Sequence, residues 1–134
     1  MTFEFPIESG LSPVDSFFFD SYALIEVVKG SESYSRFKDC ILTTSKLNIF
    51  ETYYILLRNS GKDLADAFLQ KYYCSITDFS QEVIQSAAEF KLENRSQKFS
   101  MADCIGYKIA ESLGIKFLTG DEQFKDKPNA EFVK

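Results

Sequence analysis

The chain has 134 residues, of which 45% are hydrophobic and 26% charged, and its formal net charge is −5. This length and composition suit one folded domain with a sizeable core and exclude a disordered chain. The absence of histidine excludes Ser-His-Asp and Cys-His hydrolysis as usually built. Cys40, Cys74 and Cys104 are too widely spaced for a Cys-x-x-Cys zinc motif, and their odd number argues against a disulfide framework.

Residues 1–15 are predicted to form an N-terminal extension ahead of the first buried strand. Residues 2–7 alternate between apolar and polar side chains, as an edge strand does, and Pro6 is tolerated only at a sheet edge. The extension contains acidic residues but no Lys or Arg, so it lacks the basic start of a signal peptide. No stretch of the chain approaches the roughly 18 apolar residues of a membrane-spanning helix. We therefore expect a cytoplasmic protein without a membrane segment.

Residues 16–134 alternate between strand and helix patterns, and we interpret them as a single domain. The three phenylalanines at 17–19 form an apolar run that predicts a strand covered on both faces. The first half of the chain predicts, in order, a strand at 16–20, a helix at 22–28, a short helix at 34–39, a strand at 40–44 and a helix at 46–59. The last helix has apolar residues at helical spacing, which we expect to form its buried face: Leu47, Phe50, Tyr54 and Leu57.

The second half of the chain continues the alternation. It predicts a helix at 64–72, a third strand at 74–77, a helix at 81–94, a helix at 100–113 ended by Gly114, a fourth strand at 115–119 and a short fifth strand at 132–133. Asp78 and Ser80 are both suitable N-caps for the helix at 81–94. This order predicts an α/β fold, a three-layer sandwich around a mainly parallel sheet of about five strands.

Four acidic residues occupy the ends or turns of these elements: Asp20, Glu51, Asp103 and Asp121. Asp20 ends the first strand and Asp121 follows the fourth, so both are expected at the rim where strand ends open in a parallel sheet. Asp103 lies in the first turn of the helix that begins near Ser100. A carboxylate cluster without imidazole or paired thiols is typical of sites for hard divalent cations.

Each of these acids also has an ordinary structural interpretation. Ser100-x-x-Asp103 is a variant of the capping box, which by itself would explain Asp103. Glu51 lies on or beside the apolar face of its helix, where an unpaired carboxylate is costly, unless it pairs with Arg58 or a lysine. The four acids together, each at a matching landmark, favour the metal site over four separate structural roles.

The sequence resembles the PIN-domain family, especially the VapC-type toxin ribonucleases, at three places. The strand-Asp-Ser opening of that family is matched by residues 18–25, with Asp20 and Ser21, and its helical glutamate by Glu51. Its late signature is matched by Ser100-Met-Ala-Asp103 and then by Thr119-Gly-Asp121-Glu-Gln-Phe124. The resemblance runs from about residue 16 to residue 124, and the extension at 1–15 departs from the pattern.

This resemblance implies a PIN-like fold with strand order 3-2-1-4-5 and an endoribonuclease that depends on Mg²⁺ or Mn²⁺. Asp20, Asp103 and Asp121 would then be the metal ligands and catalytic residues, and Glu51 would bind directly or through water. Ser21 and Thr119 are secondary candidates for positioning water or phosphate, although capping and turn hydrogen bonds explain them equally well. The partners implied are an RNA substrate, a second copy in a homodimer and an antitoxin peptide.

Other functions remain open at the level of the sequence. A non-catalytic PIN-like RNA-binding or scaffold protein would keep the same fold around an idle acidic site. A phosphoacceptor receiver domain is less favoured because its late strand should end in a lysine, whereas Lys116 lies inside the fourth strand. The aromatic residues at 53, 54, 68, 72 and 73 exceed what one face of each helix needs, which fits either exposed tyrosines or a groove for a partner.

Overall fold

The structure, a computed structural model, describes residues 15–134. The expected edge strand at residues 2–7 therefore lies outside the described residues. The strands are β1 (Ser16–Phe19), β2 (Ile41–Thr43), β3 (Lys116–Thr119) and β4 (Ala130–Phe132). The helices are α1 (Ser21–Lys29), α2 (Lys46–Ser60), α3 (Lys62–Tyr72), α4 (Gln81–Glu93) and α5 (Met101–Leu113), with 3₁₀ segments at Glu32–Phe37, Tyr73–Ser75 and Glu122–Phe124. In this part of the chain, no helix is both long and apolar enough to span a bilayer.

The sheet is parallel throughout, with strand order β2-β1-β3-β4. Phe18 pairs with Thr43 of β2 on one side and with Phe117 of β3 on the other. The predicted α/β class and the parallel sheet are confirmed. In the expected order 3-2-1-4-5, strands 2, 1, 4 and 5 correspond to β2, β1, β3 and β4.

The predicted third strand at 74–77 is wrong. The chain there forms the 3₁₀ segment Tyr73–Ser75, followed by one isolated parallel bridge between Thr44 and Ile76. Two backbone hydrogen bonds hold this bridge, from Thr44 N to Ser75 O at 3.1 Å and from Thr77 N to Thr44 O at 2.9 Å. Between the 3₁₀ segment and the Ser80 cap of α4, the chain therefore touches the sheet only through the bridge at Ile76.

The phenylalanine run of β1 supplies both faces of the sheet. Phe17 and Phe19 pack into one core, while Phe18 points into the other, as alternate residues of a strand must. The first core contains residues from α1, α2 and α3, and the second is built on α4 and α5. The first helices therefore cover one face and the last two cover the other, which makes the three predicted layers.

Local sequence signals set the ends of the helices. Asp20 caps α1 by accepting a hydrogen bond from Ala23 N at 2.8 Å, and α1 ends at Gly30 in the left-handed conformation. Ser100 and Asp103 form the complete capping box at the start of α5, as the sequence predicts. Ser80, rather than Asp78, caps α4.

The expected buried face of α2 is wrong, although the helix itself is confirmed. Leu47, Phe50, Tyr54 and Leu57 are 36%, 72%, 53% and 41% exposed. The buried face instead carries Asn48, Ile49, Thr52 and Leu56. Both sets have helical spacing, and of the two polar residues in the buried set Asn48 hydrogen-bonds to Ser21 at the start of α1.

Gly106 gives the first testable prediction, because α5 packs against the sheet at this residue. A Cβ atom at Gly106 would lie 2.6 Å from Phe18 Cε1 and 3.1 Å from Phe117 Cε1, and both rings are fully buried. We expect Gly106→Ala to lower the free energy of unfolding by about 1–3 kcal/mol, since overpacking outweighs the gain of ~1 kcal/mol in helix propensity. Urea denaturation measures the change.

Ser112→Ala on the exposed side of the same helix is the control, and its effect should stay within about 0.5 kcal/mol. A Gly106→Ala variant more stable than the wild type would contradict the close packing of α5 on β1 and β3.

Candidate active site

The candidate site lies where the strand order reverses. From β1 the chain passes through α1 to β2 on one side, and later through α5 to β3 on the other side. Asp20 follows β1 directly, and its backbone N–H donates to Leu118 O of β3 at 3.2 Å. Asp121 comes two residues after the end of β3. Both acids are therefore at the carboxyl ends of neighbouring parallel strands, where α/β proteins bind ligands.

Asp20 is the buried centre of the site, with only 2% of its surface exposed. Its Oδ1 accepts a hydrogen bond from Ala23 N at 2.8 Å, and its Oδ2 accepts one from the Thr119 hydroxyl. The N-terminus of α1 also favours a negative charge at this position. These interactions hold the carboxylate in one orientation but leave its charge without a paired cation.

Thr119 connects the two strand ends. Its hydroxyl donates to Asp20 and accepts a hydrogen bond from Asp121 N at 3.0 Å. Gly120 lies between Thr119 and Asp121, and a Cβ atom there would come within 2.1 Å of Tyr22 Cε1. A side chain at this position would push the loop away from α1, so the glycine lets Asp121 approach Asp20. The turn-hydrogen-bond interpretation of Thr119 is thus correct, and its partners are two of the acids.

Asp103 enters from the first turn of α5. Its Oδ2 accepts a hydrogen bond from Ser100 N at 2.8 Å, and its own N–H donates to Ser100 Oγ at 3.0 Å. The carboxylate is therefore a true capping group. The cap uses one of its two oxygens, so capping does not prevent the other from binding a cation.

Glu51 is half-buried on α2 and is held by Ser21. The Ser21 hydroxyl donates to Glu51 Oε1 at 2.6 Å. The proposed ion pair with Arg58 is wrong, because Arg58 lies over the Tyr54 ring and donates to Asn59. None of the ion pairs between residues 15 and 134 includes any of the four acids.

The charges of the four acids act on one another. The pKa of Asp20 is raised to about 7, mainly by burial and further by the charges of Asp103 and Asp121, while the hydrogen bonds from Thr119 and Ala23 lower it in part. Burial also raises the pKa of Asp103, with further contributions from the charges of Asp121 and Glu51. Asp103 is therefore close enough to each of the other three acids for their charges to be felt. Thr119 joins Asp20 to Asp121, and Ser21 holds Glu51; a shared metal site for all four acids stays a prediction.

The donor set fits a hard divalent cation in chemistry and in charge. Oxygen is the only donor type in the cluster, and its excess negative charge has no paired lysine or arginine in the described chain. The geometry is less complete, because no three Asp, Glu, Cys or His side chains between residues 15 and 134 already stand in a ligating group. Joint ligation of one cation would therefore require some of these side chains to turn toward a shared position.

Two buried polar residues beside Glu51 were not singled out from the sequence. Ser45 caps α2, and the Asn48 side chain lies between Ser45 and Ser21. The Ser-x-x-Asn spacing at the start of a helix signals capping, but it does not show that the amide reaches a residue 27 positions earlier in the chain. That contact exists because α1 packs against α2, which the sequence pattern alone does not predict.

The raised pKa of Asp20 predicts how stability varies with pH. A carboxyl group whose pKa rises from 3.8 to about 7 on folding holds its proton more tightly in the folded state. Its contribution to stability is complete below the unfolded pKa and is lost as pH rises through the folded one. We expect the melting temperature of metal-free protein to fall as the pH rises from about 4 to about 7, and Asp20→Asn to remove much of this fall.

Thermal denaturation in a chelating buffer, repeated across this pH range, measures the melting temperature of each variant. Asp66→Asn, which changes an exposed acid paired with Lys62, should leave the fall in place. An identical pH dependence in wild type and Asp20→Asn would show that Asp20 is not the titrating group.

Comparison with known proteins supports a specific family. The PIN-domain family model matches residues 17–130. No curated protein matches the sequence significantly. Solved structures match at low identity: VapC20 of Mycobacterium tuberculosis, a toxin that cleaves the sarcin-ricin loop, has a TM-score of 0.73 at 17% identity, covering 88% of this chain and 99% of that one.

Two further structures share the fold. VapBC2 of Rickettsia felis, bound to a fragment of its promoter DNA, has a TM-score of 0.68 at 18% identity, over 89% of this chain and 99% of that one. A toxin–antitoxin complex from Klebsiella pneumoniae has a TM-score of 0.67 at 15% identity, over 85% and 94%. These structures share the fold of this chain, and the family match over residues 17–130 shows that the chain belongs to the PIN-domain family.

Proposed function

We propose that this protein is a metal-dependent endoribonuclease that hydrolyses RNA phosphodiester bonds and acts as the toxin of a toxin–antitoxin pair. The observation that carries the proposal is the buried Asp20 carboxylate, whose pKa is raised in part by the charges of Asp103 and Asp121 at the switch point of a PIN-domain sheet. Four acids at a strand-end rim, without histidine or a paired basic residue, leave phosphodiester chemistry assisted by a cation as the activity that fits best.

Asp20, Asp103 and Asp121 would hold Mg²⁺ or Mn²⁺, with Glu51 joining directly or through water. A cation held by these residues would supply a bound water of lowered pKa and positive charge for the phosphate. Thr119 keeps Asp20 oriented and fixes the backbone of Asp121. The acids need no protein general base beside them, which agrees with the absence of histidine.

The charge of the protein makes RNA binding depend on the cation. Without the four site acids the formal charge would be −5 + 4 = −1, so most of the net negative charge belongs to the site itself. Phosphates are repelled by such a rim, and bound divalent cations reverse the local potential. We therefore expect weak RNA binding in chelating buffer and stronger binding in Mn²⁺.

The proposed partners follow from the structural neighbours. VapC20 of M. tuberculosis cleaves an RNA loop, and the K. pneumoniae structure is a toxin bound to its antitoxin. By likeness of fold we propose an RNA substrate and an antitoxin peptide for this chain; the homodimer stays a prediction from the family resemblance. A cytoplasmic location stays a prediction from the sequence.

A non-catalytic PIN-like RNA-binding or scaffold protein is the alternative. It is favoured by one observation, that no three of the candidate ligands between residues 15 and 134 are already grouped around a cation position. The two functions predict different manganese binding. The enzyme would bind Mn²⁺ saturably, whereas the non-catalytic protein would bind RNA without saturable binding of Mn²⁺.

Asp103→Asn gives the central prediction. The asparagine side-chain oxygen can still accept the hydrogen bond from Ser100 N, so the fold and the cap of α5 should survive. We expect Mn²⁺-dependent cleavage of unstructured RNA to fall by about 100-fold or more, the order of magnitude lost with one preorganised electrostatic group. Gel assays on purified protein, with chelator added as a blank, measure the rate.

Glu122→Gln is the matched control, because Glu122 follows Asp121 directly but its exposed side chain pairs with Lys134. It should cleave like the wild type. Cleavage by Asp103→Asn at the wild-type rate, after exclusion of contaminating nuclease, would remove Asp103 from the mechanism.

An apolar groove supports the proposed antitoxin partner. It has a volume of about 370 Å³ and is lined by side chains from α1, the 3₁₀ segment Glu32–Phe37 and α3, among them Val27, Phe37 and Phe68. Lys38 and Lys71 belong to the same lining. An extended or helical peptide with apolar anchors and acidic flanks would complement both features.

Leu64→Glu tests this assignment. Leu64 lines the groove and is 41% exposed, so the change should not disturb folding. A carboxylate placed in an apolar interface should weaken binding of the antitoxin encoded by an adjacent small reading frame by at least about tenfold, or ~1.4 kcal/mol. Co-purification and calorimetry measure the loss.

Leu113→Glu, at the end of α5 on the other side of the sheet, should bind like the wild type. Equal weakening by both substitutions would assign the antitoxin to another surface.

A further inference from the structure

Asn48 is a buried residue whose side-chain amide makes hydrogen bonds that the helix cap does not require. Asn48 and Ser45 are both fully buried, and buried polar side chains need hydrogen-bond partners. The cap of α2 uses the backbone of Asn48, whose N–H donates to Ser45 Oγ at 3.3 Å. The amide side chain is not needed for that cap, so its place in the interior calls for another explanation.

The two ends of the amide reach different residues. Asn48 Oδ1 accepts a hydrogen bond from the Ser45 hydroxyl at 2.6 Å. Asn48 Nδ2 donates to Ser21 Oγ at 3.2 Å, and the Ser21 hydroxyl donates to Glu51 Oε1 at 2.6 Å. The resulting chain runs from the start of α2 across to the start of α1 and returns to α2 at the acidic rim.

Donor and acceptor chemistry allows this chain only one direction. An ionised Glu51 can only accept, so the single proton of the Ser21 hydroxyl must point to it. Ser21 Oγ can then only accept from Asn48, which requires the NH₂ end of the amide to face Ser21. The Ser45 hydroxyl completes the order by donating to the oxygen end. Rotating the amide by half a turn would take the Ser21 proton away from Glu51.

We propose that Asn48 is a positioning residue, which fixes the direction of the Ser21 hydroxyl and through it the Glu51 carboxylate for binding of the cation. This inference rests on the proposed metal-dependent function. Glu51 Oε1 is held by Ser21, which leaves Oε2 for the cation, and the Glu51 charge already acts on Asp103. Groups that orient a ligand from behind usually change metal affinity about 10- to 100-fold when they are lost.

The test is manganese binding to metal-free protein, measured from the electron paramagnetic resonance signal of free Mn²⁺. Asn48→Leu keeps the size of the side chain and removes both of its polar ends. We expect its dissociation constant to rise about 10- to 100-fold, with the fold intact by circular dichroism. If leucine prevents folding, Asn48→Ala removes the same groups without adding bulk.

Thr52→Val is the matched control for removing a buried polar group from α2. Thr52 is fully buried one turn after Asn48, and its hydroxyl has no hydrogen-bond partner among residues 15–134. Its loss should leave manganese affinity within about twofold of the wild type, because Thr52 makes no contact in the Ser45–Asn48–Ser21–Glu51 chain. An equal loss of affinity in Thr52→Val and Asn48→Leu would point to general loosening of α2 and overturn the proposal.

A double variant separates positioning from a structural effect. If Asn48 acts through Ser21, then Ser21→Ala alone should weaken manganese binding, and adding Asn48→Leu should weaken it little further. Fully additive effects would overturn the proposal, as would wild-type affinity in Asn48→Leu. If the wild-type protein shows no saturable manganese uptake, the proposed function fails and this inference fails with it, whereas wild-type uptake with an unaffected Asn48→Leu variant overturns the inference alone.

Discussion

Asp20 is an acid buried at the point where two parallel strands end, and the rest of the site is arranged around it. A buried carboxylate without a paired cation is costly, and it persists here because Ala23 and Thr119 hydrogen-bond to both of its oxygens. The same two contacts fix the start of α1 and the end of β3. The hydrogen bonds that stabilise the buried Asp20 therefore also hold Asp121 near it. The candidate site thus depends on the same contacts as the ends of the strands.

Features set by local chemistry were predictable from the sequence. The three phenylalanines of β1 belong to both cores, and the capping box at Ser100 and the left-handed Gly114 mark the limits of α5 as expected. The convergence of Asp20 and Asp121 followed from topology, because the ends of neighbouring parallel strands meet at one rim. Each of these depends on residues close in sequence or on a general rule about sheets.

Features set by tertiary contacts were not predictable. The helical spacing of its apolar residues predicts that α2 has an apolar face. It does not predict that the partly polar face is the buried one, as it is in the structure. The hydrogen bond between Ser21 and Glu51 joins residues 30 positions apart, and the bridge at Ile76 depends on how far the preceding turn extends. Short apolar segments such as residues 74–77 have no sequence signal that separates a strand from a turn with one bridge.

α2 buries a partly polar face and exposes an apolar one, and this arrangement affects which substitutions the helix can accept. Its inner side carries the Asn48 amide, which reaches Glu51 through Ser21 of α1, whereas its outer side carries Phe50 and Tyr54, which are largely exposed. Mutations on the outer side can remodel what the helix touches while the support for Glu51 stays intact. The exposed face of α2 can therefore vary in sequence independently of the hydrogen bonds that reach Glu51 from its buried face.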